Sequence, residues 1–270
     1  MRKRFYPQLA FLFFVLLVCA MPQSALGFCH KNEFVRHQGL LHMASTGASM
    51  GNGSVRIEWL GHATFQITSS KGTRILMDPS TRDYIIWPTA PTHILTTSHN
   101  HDPHSNYDLA VGIPVYLDGL TEDDDWNRVH TTVRDVSVYN VPAYHDKSRG
   151  LQRGKNSIFV VRVDNICIAH LGDLGHKLTK QQLKQLGRID VVLVPIGGGR
   201  FTVPADEGRE IIEQIRPRIA IPMHYWWDGA TDPLIKGHKN VKFAPHRWLQ
   251  LTKRDLPSTT QIVILDFTKP

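Results

Sequence analysis

The sequence predicts a mixed α/β (α+β) fold in which sheets pack face to face beneath a cover of helices. Three observations carry that expectation: short apolar, β-branched runs recur between turn residues, only two segments have helical character, and the runs far outnumber those helices. Strands are expected over residues 55–60, 63–68, 74–77, 93–97, 136–141, 157–163, 166–169, 190–195, 219–222 and 261–267. A helix is expected over 179–186, opened by a Thr179 cap and stopped by Gly187. A second, over 205–215, sets Ile211, Ile212 and Ile215 on one face before Arg216 and Pro217 end it.

The chain is 41% hydrophobic and 20% charged, which supplies a core without a disulfide framework. Residues 55–270 read as one domain, and 28–54, rich in Gly, Ser and His, as an irregular lead-in. Before it, Met1, Arg2, Lys3 and Arg4 precede an apolar run over 9–20, then Pro22, Ser24, Ala25 and Gly27. That order marks 1–27 as a signal peptide cleaved after Gly27. The run is shorter than the roughly 20 residues a bilayer span takes. Export to the periplasm or the exterior is therefore expected, with no stable membrane span after cleavage; a leader retained as an anchor is the alternative.

Removing 1–27 takes away three basic residues and no acidic ones, leaving 28 against 24. So small an excess argues against nucleic acid or an anionic membrane as partner. The oligomeric state is not legible. Only Cys29 and Cys167 remain after cleavage, and Cys167, in an apolar run, reads as buried and unpaired.

Chemistry gathers where strands end. The run 93–97 passes into Ser98, His99, Asn100, His101, Asp102, Pro103 and His104, and the run 136–141 reaches His145. The run 166–169 leads to Gly172 and Asp173, and 219–222 leads to His224. Rigid strands fix ligands while loops leave an open coordination position, as a catalytic metal site requires. His99 and His101 face the same way in extended chain, so both can reach one ion. His104 lies past a proline turn and can reach a second, and the two oxygens of Asp173 suit it to bridge them.

These residues carry a resemblance. The segment 57–79, with Leu60, Gly61, His62, Ala63, Thr64, Met77, Asp78 and Pro79, is similar to the opening of the metallo-β-lactamase superfamily. The branch is that of ascorbate-6-phosphate lactonase-like and N-acylphosphatidylethanolamine phospholipase D-like hydrolases. His145, Asp146, Arg153, Gly154, Asn156, the stretch 170–176, and the segments 195–198 and 222–225 resemble its later motifs. The resemblance implies a four-layer αββα sandwich with a two-metal site between the sheets. His99, His101 and His145 would hold the first ion, His104 and His224 the second, and Asp173 would bridge them. Zinc suits such donors, with manganese or iron(II) as alternatives.

One departure stands out. The usual His-x-His-x-Asp-His pattern has its aspartate where Pro103 stands, while Asp102 comes one place early. Either Asp102 serves the second ion, making Asp102, Asp173 and His104 the catalytic set, or that ion is held weakly. The second alternative is preferred, because proline keeps Asp102 extended and a one-residue offset points it to the opposite face.

Asp78 is expected behind a ligand, orienting a histidine, or else in an ordinary Asp-Pro turn. His170 and His176 flank Asp173 and are expected as its hydrogen-bonding or structural neighbours, since as ligands they would overfill the site. His62, between two strands, is open. Arg149 and Arg153, with Lys147 and Lys155 nearby, are expected to grip an anionic substrate group together with Asn156; a solvated loop is the alternative. Tyr84, Trp87, Tyr225, Trp226 and Trp227 line either a pocket rim or the core. The expected activity is hydrolysis by metal-activated water of an ester, lactone, amide or phosphodiester in a small-molecule or lipid-like substrate. The rival is a catalytically silent metal- or ligand-binding member of the fold.

Overall fold

In the computed structural model the described residues are 29, 53–199, 201–227 and 229–268. The leader and nearly all of the lead-in lie outside them. In chain order the elements are β1 (Val55–Gly61), β2 (Thr64–Thr68), β3 (Arg74–Met77), β4 (Ile94–Thr97), β5 (Val115–Asp118), β6 (His130–Val133), β7 (Val136–Tyr144), β8 (Lys155–Val163) and β9 (Ile166–His170). There follow α1 (Lys180–Leu186), β10 (Val191–Pro195), α2 (Ala205–Ile215), β11 (Ile219–Met223), α3 (Asp232–Ile235), β12 (Val241–Phe243), β13 (Trp248–Leu251) and β14 (Gln261–Ile264). One sheet has the order β13-β1-β2-β3-β4-β5, the other β12-β14-β11-β10-β9-β8-β7-β6.

Period-two alternation builds the core between them. Ile57, Phe65, Ile67 and Ile75 of the six-stranded sheet meet Val138, Phe159, Val161, Ile168 and Leu193 of the other. The alternate residues of the eight-stranded sheet, among them Ile158, Val160, Val192 and Val194, pack under Leu186, Ile211 and Ile212 of the helices. The opposite face of the six-stranded sheet, at Leu76 and Leu95, is covered by Ile85 and Leu109 from loop and single-turn 3-10 segments in place of a long helix. The two expected helices form where caps place them. Thr179 and Gln182 make a reciprocal capping box on α1, and Arg216 ends α2 in a left-handed conformation.

Four strands, β5, β6, β12 and β13, were not expected, and they are the four sheet edges. The cysteine expectation is corrected: Cys29 and Cys167 form a disulfide that ties the lead-in to β9. Burial alone did not disclose the pairing, because 138 residues separate the two.

Candidate metal centre

Parallel and antiparallel pairing brings the polar strand ends together. β9, β10 and β11 are parallel, while β7 and β9 each run antiparallel to β8. β7, β9 and β11 therefore end at one edge of the sheet and deliver His145, Asp173 and His224 there. β4 of the facing sheet delivers His99, His101 and His104.

Asp173 is the centre of the arrangement, 1% exposed. Its Oδ2 lies 3.0 Å from His145 Nε2, 3.1 Å from His104 Nε2 and 3.9 Å from His99 Nε2, and its Oδ1 lies 3.2 Å from His224 Nε2. Yet His99 Nε2, His104 Nε2, His145 Nδ1, His224 Nδ1 and Asp173 Oδ1 are buried without a hydrogen-bond partner in the protein. An unmatched buried polar atom costs about 1–3 kcal/mol, and three of these, His99 Nε2, His104 Nε2 and Asp173 Oδ1, face the centre of the cluster. A divalent cation fits this donor set of imidazole nitrogens and one carboxylate. Three triads offer ligand atoms within 4.8 Å of one another: His99 with His145 and Asp173, His99 with His101 and His104, and His62 with His104 and His224.

The electrostatics suit a cation. Burial, then the neighbouring His104, pushes His99 down to about 3, so its imidazole is neutral. Burial alone would raise Asp173, but His104 and His224 hold its carboxyl well below the usual range. Burial opposes a charge on His104 too, and there Asp173 and Asp78 prevail and push it up to about 10. An ion on Nε2 must displace that proton.

Asp78 orients two of the histidines from behind. Its Oδ2 lies 3.0 Å from His104 Nδ1 and accepts the Ser98 hydroxyl at 2.5 Å, while Ser98 Oγ is 2.9 Å from His99 Nδ1. One carboxylate thus turns both Nε2 atoms toward Asp173. His170 lies 4.0 Å from Asp78, with its Nε2 on the Ala63 carbonyl and its Nδ1 accepting the Gly172 amide. It fixes the turn before Asp173. His176 turns the other way and accepts the Tyr144 amide on Nε2, which anchors the strand carrying His145 and leaves it without contact to Asp173.

Asn156 requires a correction. It is fully buried, donates to the Leu171 carbonyl and accepts the Asp173 amide, so it shapes the ligand turn and has no surface to offer a substrate. Gly172 in that turn has a φ of +56°, and a Cβ there would come within 2.4 Å of Asn156 Oδ1.

The basic loop stands apart. Asp146 accepts backbone N–H groups from Ser148, Gly150, Gln152 and Arg153. Burial would raise its carboxyl, but those four donors hold it below its ordinary value. The side chains of Arg149 and Arg153 are exposed. Arg149 lines a groove of roughly 640 Å³ with Tyr144, Lys147, His176 and Gln182, and none of the six expected ligands borders it. Asp102 is exposed in the 3-10 turn Asp102–His104 and belongs to none of the ligand triads among the described residues. The aromatics divide: Tyr225 packs on Trp59, whereas Trp226 and Phe201 are half-exposed, with rings 5.9 and 6.5 Å from that of His224. Tyr84 and Trp87 are exposed as well. Sequence reasoning missed Ser98 and the turn-forming role of Asp146, and it left His62 without a role.

Metal chemistry at the rim of a two-sheet sandwich is the mark of the metal-dependent hydrolases with the metallo-β-lactamase fold. The chain belongs to the β-lactamase superfamily domain family, whose model matches residues 56–224. A UPF0173 metal-dependent hydrolase of Pyrococcus furiosus is 32% identical over 204 residues, 66% of this chain and 89% of that protein. Its counterpart in Pyrobaculum arsenaticum is 30% identical over 67% of this chain and 87% of its own. Among solved structures, a Thermotoga maritima protein assigned as a Zn-dependent hydrolase of the metallo-β-lactamase superfamily superposes with a TM-score of 0.62 and 29% identity. That match covers 78% of this chain and 98% of the other.

Proposed function

We propose that this chain hydrolyses an ester, lactone, amide or phosphodiester, with His99, His101 and His145 holding one ion, His104 and His224 a second, and Asp173 reaching both. The observation that carries this reading is the Asp173 carboxylate ringed by four imidazoles at 3.0 to 3.9 Å, with buried ligand atoms left unmatched. A divalent ion held there would lower the pKa of water toward neutrality and polarise the oxygen under attack. Zinc is the metal these donors favour. The chain's own part is to hold the nitrogens in place through Asp78 and Ser98. Phe201 and Trp226 offer an apolar wall beside His224 that suits an acyl or aromatic group on the substrate.

Export from the cytoplasm is part of the proposal. The leader motif supports it, and so does the Cys29–Cys167 disulfide, because such bonds persist in oxidising compartments. Among the described residues no helix is long and apolar enough to cross a membrane. A catalytically silent metal protein is the second reading, favoured by Pro103. The test is metal analysis of the purified protein together with lactone, phosphodiester and amide panels. Turnover that chelation abolishes and metal restores supports hydrolysis; bound metal without turnover on any panel favours the silent reading.

A further inference from the structure

The region around His224 contains an imidazole to which the expected ligand set gives no work. His62 is 2% exposed, and its Nδ1 is buried without a partner in the protein. Its ring centroid lies 4.0 Å from that of His224 and 4.9 Å from that of His104. One ligand atom from each of the three lies within 4.8 Å of the others. Three buried imidazoles in mutual contact leave nitrogens that water cannot reach, which is costly unless a shared partner lies among them.

The backbone is bent to put His62 there. The β1–β2 pairing shifts register between Trp59 and Gly61, and His62 follows with a φ of 52°, the left-handed region that non-glycine residues enter at a cost of about 1–2 kcal/mol. That conformation is held from two sides. The His62 carbonyl accepts the His224 amide at 3.0 Å and the Trp59 indole N–H at 2.9 Å. Strain maintained by independent contacts at a buried polar cluster points to a role for the side chain it aims.

No carboxylate of the neighbouring turn competes for the position, since Asp102 is exposed and lies outside the triad. Asp173 Oδ1, 3.2 Å from His224 Nε2, supplies an oxygen. We propose that His62 is a metal ligand, completing with His104, His224 and Asp173 a three-nitrogen, one-oxygen set for the second ion. Such a set matches the four-coordinate preference of zinc. The inference rests on the proposed metal reading and adds a ligand to it.

The test counts ions on the intact protein by native mass spectrometry and measures their affinity by chelator competition with zinc alone. Wild type is expected to bind two ions and His62→Ala one. His62→Asp, which restores a donor, should keep two. If His62→Ala does not fold by circular dichroism, His62→Gln against His62→Asp makes the same comparison, with one ion expected against two. Two ions at unchanged affinity in His62→Ala or His62→Gln would overturn the assignment and leave the metal reading standing. A single ion in wild type, retained in those variants, would overturn it as well. Wild type that binds no zinc would remove the metal reading itself, and the inference with it.

Discussion

Two buried carboxylates, Asp146 and Asp173, stand at the ends of strands in the same sheet, and their surroundings differ in kind. Asp146 directly follows a proposed ligand and organises a loop dense in Lys and Arg, yet each of its oxygens is filled by two backbone N–H groups. Asp173 is ringed by histidines, and its own Oδ1 and the inward Nε2 atoms of His99 and His104 have no hydrogen-bond partner in the protein. The first is a closed structural turn, the second a set of donors that fits a cation. Positive charge marks the loop along the sequence; convergence of four imidazoles on one buried carboxylate marks the site.

The comparison is broken most directly at its centre. Asp173→Asn should remove at least one ion and lower kcat/KM by orders of magnitude, read by metal analysis and steady-state kinetics. Full metal content in that variant would show that Asp173 is no more a ligand than Asp146 is. Asp78→Asn should weaken zinc binding about 10- to 100-fold, because His99 and His104 lose the group that orients them. Chelator competition measures it, and an unchanged constant would make Asp78 a mere turn residue.

The pH dependence sharpens the contrast. His104 is pushed up to about 10, so below that pH the metal-free protein carries a proton that zinc must displace. Affinity for the ion held by His104 should therefore rise about tenfold per pH unit between roughly pH 7 and 9, with about one proton released as that ion binds. Calorimetry in two buffers of different ionisation enthalpy checks the count. Asp146→Ala, by contrast, should leave the metal count intact and cost about 1–3 kcal/mol in denaturant unfolding. Because the folded-state pKa of Asp146 is depressed, its stabilisation is present above the unfolded carboxylate pKa and is lost as pH falls. The smallest effect is expected from Arg149→Ala. KM for anionic and neutral substrates should change equally little, and a selective rise for anions would return Arg149 to the substrate.

Interior strands were legible because their two buried faces demand continuous apolar, β-branched runs, as in β8, β9 and β10. The edge strands were not. His130–Val133 and Val241–Phe243 have at least one face toward solvent, and their sequences carry no comparable apolar signal. The six expected ligands stood out because strand ends repeatedly met His or Asp. Roles set by turn geometry did not. Asn156 reads as a polar residue within reach of substrate until its amide is seen bonded to both sides of Gly172, and His62 reads as an isolated histidine until a left-handed backbone aims it. A disulfide across 138 residues is likewise a matter of distance in space, about which spacing along the chain is silent.

That disulfide closes a covalent ring through Cys29 and Cys167, and His62, Asp78, His99, His101, His104 and His145 all fall inside it. The exposed segment with Lys147, Arg149 and Arg153, an inviting place for a trypsin-like protease, falls inside it too. A single cut there would part the backbone without parting the molecule: the piece bearing His145 would stay linked through Cys29 to the piece bearing Asp173 and His224. Proteolysis at that loop can nick the protein beside its site while every proposed ligand remains on one covalent body.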